Sequence, residues 1–436
     1  MDDAAITYLL WQDPVGITRA RGLPTRDLER RAEAGLGWAM AGHALTPFED
    51  IVENPWGPMD EARQIPDLST RFTIPGDAAN PAISAVLCDS RAGLDAPWDC
   101  CLRTFCRDAL EAFQTATGST LVMAWEHEFT LTGDDLEPET PFSLTAARQR
   151  HAVLVDIEAA LQAAGVPAET VEPEFGLGQY EISAGPEPAL SAADHAIVAR
   201  EVIREIARRH GLRASFTPKP AAHAVGNGAH LHFSFRDATG LNVTAAPDGP
   251  CGLSDVAARF CAGILGHVDA LVALTAPSPV SYSRLGPHHW SCGFRAIGVQ
   301  NREVTLRVVP GLSRDPEKAA RSFNVEFRPI DATASPFLAV GALVRAGLEG
   351  LGGEHRLPLP AECDPADMDE ATRARLGIMV LPTTLSEAVD ALEADATVKG
   401  WFSDALFSTF VNLKRWEAAE AAADPEGVFA RYARAY

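Results

Sequence analysis

The stretch NGAHLHFSF, residues 227–235, places His230 and His232 two apart in an apolar run that alternates like a strand. Side chains at i and i+2 of a strand leave the same face, so the two imidazoles point one way. AWEHEF repeats the arrangement with acids, setting Glu126 and Glu128 on one face among apolar neighbours. Two such carboxylates repel unless a proton or a cation lies between them, and a divalent metal is the natural candidate. EFGLGQYEIS adds Glu174 and Glu181 around Gly176 and Gly178. That loop is too short to cradle a nucleotide, and no Lys-Ser or Lys-Thr follows it. NVEFRPID sets Glu326 two before Arg328, which also suits a plain ion pair; NREVTLRVV carries Arg302 and Arg307, which suit a phosphate clamp or a solvated surface. Each motif alone has such an ordinary reading. Together, five glutamates and His230, in strand-like or loop runs beside apolar residues, suit two hard cations held largely by oxygen. A zinc enzyme more often shows three compact nitrogen or sulfur ligands, so the carboxylate excess favours magnesium or manganese. Arginines nearby suit an anionic substrate or phosphates.

Such side chains need rigid elements beneath them. LVMAWEHEFTL, ASFTPKP, GAHLHFSF and NREVTLRVV read as strands. Leu102, Cys106, Leu110 and Phe113 are spaced for a helix face that Gly118 stops, and a second helix covers roughly 144–164 before Gly165. Another starts at Ser191, with Asp194 as a capping-box partner, and runs to His210 before Gly211. ASPFLAVGALVRAGLEGLGG reads as a buried helix with Ser335 as N-cap and Pro336 first, and TTLSEAVDALEA with the Ala-rich end as surface helices. The first 95 residues or so hold short strand-like runs such as AITYLLWQD, broken by Gly and Pro, with a boundary expected near DAPWDCC. The sum is α+β, mostly antiparallel strands flanked by helices.

The 436 residues suggest two domains, and 47% hydrophobic content allows a large core. A formal net charge of −22 repels phosphate backbones and anionic bilayers, so neither nucleic acid nor a membrane is an expected partner. No apolar run is read as long enough to span a bilayer, and MDDAAITYLL lacks the basic start of a secretion signal, so the expected location is cytoplasmic. Eight scattered cysteines, with Cys100, Cys101 and Cys106 in one expected helix, read as buried thiols.

WEHEF, EFGLGQYE, SFTPKP, GNGAHLHFS, SYSRLGP, NREVTLRV and VEFRPIDATASPFLAVGALVRAGLEGL, in this order and spacing, resemble the glutamine synthetase superfamily. The resemblance is strong over roughly residues 120 to 350 and weaker at LLWQDPVGITRARGLP. It implies an N-terminal β-grasp domain over 1–97 and a catalytic domain over 98–436 built on a curved antiparallel sheet. It also implies hexameric rings, stacked as a dodecamer, with active sites between subunits. By the same resemblance Glu128, Glu174 and Glu181 are ligands of a first metal, and Glu126, His230 and Glu326 of a second that sits on the phosphates of ATP. His232 and Ser234 lie near the nucleotide. Arg284 and Arg328 hold the carboxylates of glutamate, Gly226 to Gly228 receive its amino end, and Arg302 and Arg307 stabilise phosphate charge. The implied reaction forms γ-glutamyl phosphate, which an amine then opens.

Departures from the family pattern bear on the amine. Ammonia-using members carry a Glu on the flap after Y-x-R-L-x-P, where this chain has Trp290. An indole cannot take a proton from ammonium, and its face suits an alkylammonium. The flap pattern resembles γ-glutamyl ligases for larger amines such as putrescine, ethanolamine or alkylamines. His288 and His289 beside it are loop residues or a replacement base. Val225, Asn324 and Ser335 replace an Asn, an Arg and an Asn of the usual pattern, and no acidic loop lent by a neighbouring subunit is recognisable among Asp50, Glu53 and Asp60. The expected activity is ATP-dependent ligation of glutamate to an organic amine. The alternatives are a true glutamine synthetase using ammonia and a non-catalytic paralogue that binds glutamate or nucleotide.

Overall fold

The computed structural model describes residues 4–133, 136–353 and 355–436, so Met1–Asp3 of the opening stretch lie outside the described residues. β1 (Ile6–Gln12), β2 (Thr18–Pro24), β3 (Leu36–Ala39), β4 (Glu61–Pro66), β5 (Phe72–Ile74), β6 (Ile83–Ala92) and β7 (Ala96–Pro97) make a first sheet. Its order is β2-β1-β6-β4-β3, with β5 and β7 also on β6. β1 and β6 run parallel, and their alternation buries Leu9, Val86 and Cys88 on one side and Leu10, Ala85 and Leu87 on the other.

The second sheet uses β8 (Thr120–Thr132), β9 (Ala168–Pro173), β10 (Gln179–Ala184), β11 (Glu187–Pro188), β12 (Arg213–Ser215) and β13 (Ala229–Arg236). After the short β14 (Phe294–Arg295) come β15 (Ile297–Val299), β16 (Leu306–Val309) and β17 (Asn324–Phe327), while β18 (Met379–Val380) pairs with β14 apart from the sheet. The order is β15-β16-β17-β13-β8-β10-β9, with β11 and β12 also on β8. Register does the positioning. His230 faces Glu126 and Glu128 faces Glu181 across β8, while His232 and Arg307 both lie opposite Glu326 of β17. The period of two sends Trp125, His127 and Phe129 to the other face, where the helix Ala189–Arg209 packs on β8.

Helices Asp255–Thr275 and Pro336–Leu351 meet backbone to backbone. A Cβ on Gly263 would stand 2.1 Å from the Ala346 carbonyl oxygen, and one on Gly350 2.0 Å from that of Arg259. Asp255–Thr275, with a mean hydropathy of 1.5 over its most apolar window, has the length and composition to cross a bilayer, contrary to the sequence reading. Its apolar side chains are instead buried in the protein, against Pro336–Leu351 among others. One apolar cluster joins Leu10, Phe72 and Leu87 of the first sheet to Trp125 and Phe129 of the second and to Phe260 and Phe337 of these helices.

Several element boundaries differ from expectation. The helix expected over 144–164 is two, Leu144–Gln149 and His151–Ala163, because Arg150 leaves the helical region at φ −123° and ψ 17°. The helix expected from Ser191 begins at Ala189 behind Pro188, so Asp194 is no capping partner. Asp194 instead takes a bidentate pair from Arg103 at 2.9 and 2.8 Å. Arg103 also reaches Asp89 and Asp67, each at 3.0 Å, and thereby ties the first sheet to a helix of the catalytic half. Cys100 and Cys101 precede the helix, which starts at Leu102; both are buried and free, as are Cys88, Cys106, Cys261 and Cys292. Ser335 stands at the N-cap, but its hydroxyl makes no cap bond. Of ASFTPKP only Ala214 and Ser215 lie in a strand, the end of Arg213–Ser215, and Asn301–Thr305 of NREVTLRVV is a turn.

Candidate active site

β8, β10, β13 and β17 bring the acids and imidazoles together on one face. Nδ1 of His230 lies 3.6 Å from Glu126, 3.7 Å from Glu128 and 3.6 Å from Glu326. These separations are too long for hydrogen bonds. They match the roughly 3–4 Å between neighbouring ligand atoms that each stand about 2.1 Å from one shared cation. Glu126, Glu181 and His230 present ligand atoms all within 4.8 Å of one another, as do Glu126, His232 and Glu326. Glu128 and Glu174 lie outside both groups, Glu174 on the half-buried turn before β10. The donor set therefore fits hard divalent cations, in groupings that cut across the two ligand sets implied by the resemblance.

Electrostatics support the same conclusion. Burial, then the charges of Glu126, Glu128 and Glu174, push the Glu181 carboxyl up to about 9. Burial, then Glu128 and Glu172, push Glu174 up to about 7. Burial and then the Arg328 charge lower His230, which keeps its imidazole neutral and able to ligate. Burial raises Glu326 as well, but Arg328, His230 and His232 outweigh it and hold that carboxyl at about 2. A cluster in which some acids must stay protonated for want of positive charge is one that a dication completes.

Backbone fixes the remaining groups. Glu128 accepts from Gly228 N–H at 2.9 Å, leaving its other oxygen toward His230. A side chain at Gly226 would come within 2.8 Å of Arg284 Cγ, and one at Gly228 within 2.5 Å of Arg284 Nη2 and 2.9 Å of His230 Nε2. These two positions are glycine because Arg284 lies on the loop. Arg284 Nη2 lies 3.1 Å from His230 Nε2, and its buried Nη1 has no partner, which leaves it open to an anionic group. Arg307 donates to Glu326 at 2.9 Å; Arg328 donates to Glu326, to the Trp290 carbonyl at 2.5 Å and, through Nε, to the Arg302 carbonyl at 2.8 Å. His232 lies 2.8 Å from Asn324 Oδ1 through Nδ1 and 3.1 Å from Glu126 through Nε2, so Asn324 orients its ring. Ser234 is buried two residues further along β13.

The flap after Arg284 is short and strained. His288, Trp290 and Cys292 all have positive φ, at 61°, 50° and 139°. Ser291 Oγ donates to the Arg284 carbonyl at 2.8 Å, and His288 Nδ1 lies 3.1 Å from Asp364. The indole of Trp290 is largely exposed, while the backbone N–H of Trp290 donates to Glu303 at 2.8 Å. Sequence reasoning passed over Glu303, since an acid between Arg302 and Val304 looks like a surface residue. Its only signal was a charged side chain inside an otherwise β-like run.

Fold and site define an ATP-dependent ligase that forms carbon–nitrogen bonds. The chain belongs to the glutamine synthetase family: residues 99–431 match the model of the glutamine synthetase catalytic domain, and residues 2–98 that of a glutamine synthetase N-terminal domain. It is 36% identical to a gamma-glutamylpolyamine synthetase, GlnA3 of Streptomyces coelicolor, across 97% of this chain and 92% of that one. It is 31% identical to a glutamine synthetase of Methanocaldococcus jannaschii, across 86% and 82%. Among solved structures, a novel glutamine synthase homolog superposes with a TM-score of 0.91 at 36% identity, covering 100% of this chain and 99% of that one. GmaS in complex with ADP gives 0.81 at 27% identity, with 97% and 95% coverage.

Proposed function

We propose that the chain joins the γ-carboxyl of glutamate to an organic amine through γ-glutamyl phosphate, with organic amines preferred over ammonia. The observation that carries this reading is the flap: Trp290 presents an exposed indole where ammonia-using members present a carboxylate. Similarity to a chain named for polyamine ligation supports it.

Glutamate is held by Arg284, through its unpartnered nitrogen, and by Arg328, with its amino end at Gly226–Gly228. A γ-carboxylate oxygen attacks the γ-phosphorus of ATP and ADP leaves; the amine nitrogen then attacks the acyl carbon, the C–O bond to phosphate breaks, and the nitrogen loses a proton. Arg302 and Arg307 neutralise charge on the phosphoryl group in flight, and His232 and Ser234 adjoin the nucleotide. Glu126, Glu128, Glu174, Glu181, His230 and Glu326 would hold magnesium or manganese ions, which offset phosphate charge when bound. We assign the enzyme to the cytosol, in keeping with its free thiols, and to hexameric rings stacked in pairs as a dodecamer, with sites between neighbours.

The test is phosphate release with ATP, magnesium and glutamate across ammonia, isopropylamine, ethanolamine and putrescine, for the wild type and Trp290→Glu. The expected result is organic-amine turnover well above that with ammonia, shifted toward ammonia by the substitution. An unchanged preference removes the flap argument. Turnover with ammonia alone establishes the second reading, glutamine synthetase, which the match to the archaeal enzyme favours.

A further inference from the structure

Beneath the flap lies a carboxylate that the mechanism above leaves unused. Glu303 sits in the turn before β16 with only 7% of its surface exposed. Its backbone N–H is held by Asn301 Oδ1 at 3.0 Å, and its Oε1 accepts the backbone N–H of Trp290 at 2.8 Å. Its Oε2 is buried and has no hydrogen-bond partner. Arg328, the cation whose charge acts on it, makes no hydrogen bond to it and donates instead to Glu326 and to the Arg302 and Trp290 carbonyls. A second acid, Asp364, adds to the negative potential around Glu303 and pairs with the flap's His288. A buried carboxylate oxygen without a donor is costly, and more so when charged. Burial accordingly raises the Glu303 carboxyl, with Asp364 acting in the same direction. The backbone N–H groups of Trp290 and His288 both bear on this carboxyl and favour its charged form, so it also steadies the flap, while Oε2 keeps an unfilled acceptor position.

We propose that Glu303 is the anionic element of the amine site, its free oxygen receiving the ammonium group of the nitrogen substrate under the Trp290 flap. The placement fits. Glu303 holds the Trp290 backbone N–H, the Trp290 carbonyl accepts from Arg328, and Arg328 donates to Glu326, so the free oxygen is three contacts from the acid cluster. An alkylammonium would put its N–H donors on Glu303 and its carbon chain against the indole. The organic substrate class rests on the function proposed above; the ammonium-binding role does not, because ammonium itself carries the same charge.

The experiment compares wild type with Glu303→Gln, which keeps an oxygen for the Trp290 N–H but removes the charge. Phosphate release is measured at saturating ATP, magnesium and glutamate against putrescine, isopropylamine and ammonium chloride, all cationic at pH 7, and against hydroxylamine, which is neutral there. The expected result is a KM raised about tenfold or more for whichever cationic amine the wild type uses, with hydroxylamine kcat and KM within about twofold of wild type. Unchanged KM for the cations overturns the proposal, and an equal loss with hydroxylamine overturns it too by reducing Glu303 to a support of the flap. A wild type that uses ammonium alone refutes the organic-amine reading while the Glu303 comparison still decides on ammonium. Silence with every nucleophile overturns both.

Discussion

Glu181 and Glu174 are the residues whose charge state reports on the site. Their carboxyls stand at about 9 and about 7 without a cation, so both bind protons more tightly folded than unfolded. The sign follows: metal-free stability is highest on the acid side and falls as pH rises from the unfolded value near 4.5 toward 9. A dication reverses this by requiring ionised ligands, so its binding releases protons. Magnesium affinity should therefore rise with pH between about 6 and 9, by up to about tenfold per unit for each proton released. Calorimetric titration in two buffers of different ionisation enthalpy measures the protons directly; release of none would contradict the assignment of these acids as ligands.

At the scale of elements, the site is a product of strand register and of one buried arginine that ties the first sheet to the helix Ala189–Arg209 behind the second. Arg103 serves Asp194, Asp89 and Asp67 at once. Replacing it with methionine keeps most of the volume but strands Asp194 in a buried position, and should cost about 3–5 kcal/mol, read as a lowered thermal or denaturant midpoint. A change within about 0.5 kcal/mol would mean the acids re-pair or rehydrate. The strands carrying Glu126, Glu128, His230 and Glu326 were legible because a period of two and ordered motifs coincide there. Asp194 was misread because a helix start was sought at a serine, whereas Pro188 begins the helix and the acid's partner is 91 residues away. Glu303 was missed for the same physical reason: its function depends on a contact with Trp290 that no local pattern encodes. Arg150 breaks a helix without a glycine or proline to announce it.

For the whole molecule, the family places active sites between neighbours, and no single chain would then be competent. Sedimentation should show a particle of about six or twelve chains, with activity falling on dilution below assembly; a fully active monomer would end that expectation. Residues 2–98 and 99–431 match separate family models, yet Leu10, Phe72 and Leu87 share one apolar cluster with Trp125, Phe129 and Phe260. The seam near residue 97 is therefore no cutting point. Severed there, each fragment would carry an open apolar scar prone to stick to other chains. A chimera with a relative's first segment would fold well only if the matching side chains across the seam were transplanted with it.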